Sequence, residues 1–115
     1  MTGPSDVPSA LKRLAVFQVP GGGLPYYAGG GPTAEPSLLT LLAFRSGGPA
    51  EGTKALLAWV SSLQNPDGSL GLDPAHRDQG LWLTALAAVV FHRYRQAAAR
   101  DRALGFVLSV SSRTV

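Results

Sequence analysis

The sequence predicts an all-α fold, and three observations carry that prediction. Apolar residues recur at helical spacing along most of the chain. No segment alternates between apolar and polar residues as a half-buried strand would, although Phe106 to Val110 tolerates β structure. Glycine and proline, 14 and 9 in 115 residues, cluster between the apolar segments and punctuate them.

The helices follow in order. The first spans about 7–17, with Ser5 or Asp6 as its N-cap. The second spans about 35–45. Thr33 is its cap candidate, Pro36 is tolerated in its first turn, and Gly47-Gly48-Pro49 ends it. The third spans about 50–64. Ala55, Leu56, Trp59, Val60 and Leu63 lie on one face, and Asn65-Pro66-Asp67-Gly68 stops it. The fourth spans about 78–96 and is apolar nearly all round from Leu81 to Phe91, so burial between layers is expected. Asp78 is its expected cap. A fifth begins near Arg100 and runs to about Val110.

These helices repeat. Gln18-Val19-Pro20-Gly21-Gly22-Gly23-Leu24 matches Gln64-Asn65-Pro66-Asp67-Gly68-Ser69-Leu70 at an offset of 46. Pro36-Ser37-Leu38-Leu39 matches Leu83-Thr84-Ala85-Leu86 at 47. One period reads helix, Gly/Pro turn, helix, short connection. The chain is expected to form one domain over 1–115, with units at about 7–45 and 50–96 and a truncated unit at about 100–111.

Composition narrows the chemistry. The chain has no cysteine, which excludes disulfides, thiolate metal sites and cysteine nucleophiles. The net charge of +3 is too small an excess to imply nucleic acid as a partner. The first residues lack the basic and apolar regions of a secretory signal, and the longest apolar stretch is shorter than a bilayer span. A cytoplasmic protein is expected. Gly21-Gly22-Gly23 and Gly29-Gly30-Gly31 follow no strand and precede no Gly-Lys-Ser/Thr, so they do not read as phosphate cradles.

Lys54-Ala55, Trp59-Val60, Gln64 and Gly68 stand at the spacing of the QW motif, with Leu70 where that motif ends in tryptophan. Asp67-Gly68-Ser69 and Gly71 are similar to the commoner Gln…Asp-Gly-Ser-aromatic-Gly form. An earlier copy keeps Gln18 and Gly22 but has Arg13 at the aromatic position. A later copy opens at Arg102-Ala103 and Phe106-Val107, with Ser111 where glutamine is expected. The chain therefore resembles the α/α-toroid family of terpenoid cyclases and protein prenyltransferases.

The resemblance implies a partial toroid of about two helix hairpins plus one further helix, too few to close a ring. Gln18 and Gln64 are expected to be structural, binding free backbone groups at the next helix terminus. The cyclases use an Asp-x-Asp-Asp acid, and no such cluster is present. The prenyltransferases hold zinc with Asp, Cys and His. Here no metal or cofactor is expected, and the acid/base candidates are Asp73, His76 and Asp78, weighed against a polar loop. Tyr26, Tyr27 and Trp82 are candidate cavity aromatics, weighed against core packing.

Three functions remain open. One is a repeat protein of this class that is not catalytic alone and associates through its C-terminal helix with itself or another toroid-repeat chain. Another is a fragment or subunit of an enzyme acting on polyprenyl substrates. The third is a helical module whose Arg93–Arg102 surface meets an acidic partner or makes peripheral contact with a membrane.

Overall fold

The computed structural model describes residues 18, 22–25, 31–45, 47 and 50–113. The predicted first helix, with Ser5 and Asp6, lies outside them, as do Tyr26, Tyr27, Gly29 and Gly30. The fold is predominantly helical: α1 (Ala34–Phe44), α2 (Ala50–Ser62), a 3-10 turn (Leu81–Leu83), α3 (Thr84–Arg93) and α4 (Ala97–Arg113). Two strands of two residues each, β1 (Leu24–Pro25) and β2 (Pro32–Thr33), pair antiparallel with Leu24 opposite Thr33. Strands of two residues are too short to show alternation, so this pair is not legible in the sequence. The chain divides into two compact units, Met1–Val60 and Ser61–Val115.

In the first unit, α1 packs on the β1–β2 ribbon. Its buried residues Ala34, Ser37, Leu38, Leu41 and Phe44 fall on one helical stripe, with Thr40 buried beside it. Thr33 occupies the N-cap position in extended conformation, but its hydroxyl makes no cap bond. The expected cap is therefore positional only. The Thr33 carbonyl instead accepts from Ser37 Oγ at 2.7 Å. Leu56 and Val60, four residues apart on α2, are fully buried.

In the second unit, the dominant packing is α3 against α4. Here the sequence expectation needs correction. The helical segment begins at Leu81, with Gly80 preceding it at φ +72°, and Asp78 lies outside it in the loop. A glycine in this left-handed region sets the entry, so the Asp78 cap is not formed. Nor is the helix buried all round. Thr84, Ala87, Ala88 and Phe91 are buried, while Trp82, Ala85, Val89 and His92 form an exposed stripe.

The α3–α4 joint is a Schellman turn. The Gln96 N–H bonds the Phe91 carbonyl at 2.8 Å, and the Arg95 N–H bonds that of His92 at 3.1 Å. Arg95 holds the left-handed position at φ +60°, where glycine is the usual occupant. The fifth helix begins at Ala97, three residues earlier than its sequence suggests, because Ala97-Ala98-Ala99 carries neither a cap nor an apolar stripe.

Candidate functional site

The two units contain the same set of backbone-gripping side chains. Gln18 Nε2 donates to the Gly22 carbonyl at 2.8 Å and to the Gly52 carbonyl at 3.0 Å. Gln64 Nε2 donates to the Gly68 carbonyl at 3.2 Å and to the Ala99 carbonyl at 2.9 Å. Gly52 and Ala99 are each the third residue of a helix, α2 and α4. Each amide thus ties its own turn to the first turn of the next helix. The acceptors are carbonyls, whereas the groups left free at a helix start are N–H donors. The amides fasten the turn without capping the helix.

The glycines between these bonds are sterically required. Gly22 and Gly68 have φ of +101° and +94°. A Cβ at Gly22 would run into the Ala55 carbonyl, and one at Gly68 into the Arg102 carbonyl. Ala55 and Arg102 are each the sixth residue of their helix, so the register repeats at 47. In this register Trp59 corresponds to Phe106 and Ala55 to Arg102. The basic residues Lys54 and Arg102, equivalent in the motif alignment, differ by one position. Arg102 donates through Nη2 to Gln64 Oε1 at 2.7 Å, which fixes the orientation of that amide. The Trp59 ring lies over Gly23, where a Cβ would meet its atoms at 2.7 Å.

A third repeated contact joins the turn to the other helix of each unit. The Leu24 N–H donates to Ser37 Oγ at 2.9 Å, and the Leu70 N–H donates to Thr84 Oγ1 at 3.0 Å. Both hydroxyls are buried and donate to a backbone carbonyl three or four residues earlier, Thr33 at 2.7 Å and Leu81 at 2.6 Å. The sequence alignment sets Ser37 against Thr84. It gives no sign that either hydroxyl reaches back to the turn.

The second unit adds a polar network that sequence reasoning missed. Arg77 Nη2 donates to the carbonyl of Ser62, the last residue of α2, at 3.0 Å. Asn65 Nδ2 donates to the Arg77 carbonyl at 2.8 Å and to Ser69 Oγ at 3.1 Å. The carboxylate of Asp67 accepts from the Ser69 N–H at 3.0 Å and the Ser69 hydroxyl at 2.6 Å. Asp67 closes its own turn in this way.

The three acid/base candidates do not come together. Asp73 Oδ1 lies 2.9 Å from His76 Nδ1 and accepts the Ala75 N–H at 2.9 Å. Asp78 instead borders a surface depression of about 450 Å³ with Asn65, Asp67 and Arg77. Desolvation raises the Asp73 pKa, but the hydrogen bonds from His76 and Ala75 together outweigh it and hold the carboxyl below its ordinary 3.8. Among the described residues, no group of three His, Asp or Glu side chains is placed to hold a metal ion. Trp82 is 68% exposed, so it neither packs in the core nor lines an enclosed cavity. No described helix is long and apolar enough to cross a membrane.

Comparison with protein-family models, curated proteins and solved structures finds no match to this chain.

Proposed function

We propose that this chain is a repeat-built member of the terpenoid-cyclase and prenyltransferase α/α-toroid class, which acts by association and is not catalytic alone. The observation that carries the proposal is the duplicated clamp. The same glutamine, glycine and hydroxyl contacts recur at a period of 46–47 residues with the same acceptor positions. Repeats of this kind bury an apolar face on a neighbouring unit. Leu108, 68% exposed, and Val110 lie toward the C-terminal end of α4 and provide such a face. Of the residues first expected at this edge, Phe106 and Val107 are half-buried and Leu108 is exposed.

Two measurements test the reading. Light scattering over a concentration series is expected to show association that Leu108→Lys abolishes without changing the helical signal. Incubation with squalene or prenyl diphosphates is expected to yield no product. A concentration-independent monomer removes the association reading, and product formation moves the chain to the enzyme class.

A further inference from the structure

The exposed stripe of α3 and one face of α4 enclose a groove within the second unit. It has a volume of about 410 Å³. Its walls are Ala85, Ala88 and Val89 from α3 and Leu104 and Val107 from α4. Val89 and Leu104 are 46% and 43% exposed. Its far end carries two arginines. Arg93 and Arg100 line it there together with His92, and Arg100 Nη1 lies 3.1 Å from His92 Nδ1. Arg100 Nε is held by Asp101 at 3.0 Å, which fixes the guanidinium at the groove end.

This arrangement discriminates among occupants. Another apolar helix pair seated in the groove would desolvate the charged side chains at its end, Arg100 and its partner Asp101 among them, and return no hydrogen bond. Leu108 and Val110 are not among the groove's lining residues, so the association surface proposed above does not require it. A single-chain anion satisfies both ends at once. Its chain would cover Val89 and Leu104, and its carboxylate would take charge-assisted hydrogen bonds from Arg100. From Ala85 to His92 the helix rises about 10 Å, which matches an extended chain of roughly eight to ten carbons.

We infer that the α3–α4 groove binds a medium-chain fatty carboxylate, with the alkyl chain between Val89 and Leu104 and the carboxylate at Arg100 and His92. The site needs no toroid relationship, so it stands or falls separately from the proposed function.

Calorimetric and amide-NMR titration of the full chain with decanoate, below its micellar concentration, tests this. One-to-one saturable binding is expected, with shifts concentrated at Val89, His92, Leu104 and Val107. Decan-1-ol, which keeps the chain and lacks the charge, should bind at least roughly tenfold more weakly. Arg100→Gln should weaken decanoate by a similar factor and leave decanol unchanged. Leu104→Ser should weaken both, with an unchanged circular dichroism spectrum as the folding control. Equal binding of decanol and decanoate overturns the proposal, as does the absence of saturable decanoate binding. Binding only to phosphatidylglycerol vesicles overturns it in favour of a membrane surface. Association of copies that Leu104→Ser abolishes overturns it in favour of a second chain.

Discussion

Gln64 holds its turn with more bonds than a surface amide usually makes, so its removal should be felt. Gln64→Ala is expected to destabilise the second unit by about 1–2 kcal/mol, because two carbonyls and the Arg102 donor lose a partner. Gln64→Glu should do no better, since a carboxylate offers acceptors where the carbonyls need a donor. Urea unfolding of both variants checks this. Gly68→Ala should cost about 2 kcal/mol or more, from a left-handed φ and a close approach to the Arg102 backbone. At Asp73 the sign follows from its lowered pKa. The stabilisation of the 73–76 turn is present above the unfolded carboxylate pKa and is lost as pH falls through the lower folded value. The Ala75 and His76 amide shifts should therefore titrate with a midpoint below 3.8, and Asp73→Asn should abolish the titration.

At the scale of the element, the joint between α3 and α4 is built with the wrong residue type for its geometry. Arg95→Gly should stabilise the chain by about 0.5–1 kcal/mol, read as a higher urea midpoint, because glycine holds φ +60° without a Cβ penalty. Where caps and stripes agree, the elements are legible in the sequence. The ends of α1 and α2 fall within two residues of expectation, with Pro36, Gly47 and Asn65-Pro66 as their signals. The start of α3 is not legible, because Leu81 to Phe91 is apolar except at Thr84 and hides which face is buried. Asp78, before that run, imitates a cap. The glutamine and glycine of each turn could be found by their spacing. The Ser37 and Thr84 hydroxyls could not, because a buried hydroxyl in a helix looks like any other until its partner is placed. Neither could Arg77, whose bond to Ser62 spans a loop with no periodicity.

For the whole molecule, charge is concentrated in one segment. Of ten basic and seven acidic residues, residues 92–102 hold four arginines and one aspartate, leaving six of each sign elsewhere. The net +3 therefore resides in the segment that includes Arg93, Arg95, Arg100 and Arg102. Changing Arg93, Arg95 and Arg102 to glutamine brings the formal charge to zero at neutral pH. Solubility is expected to pass through a minimum there, and light scattering against pH detects it.

The reach of each glutamine has a consequence for how the chain can be lengthened. Gln18 extends 34 residues forward and Gln64 extends 35, both less than one period. A duplicated block of residues 18–63, inserted before Gln64, carries every bond of its clamp inside itself. Such a tandem insertion should read as additional helix by circular dichroism, because a fastening shorter than its period can be copied without its neighbours.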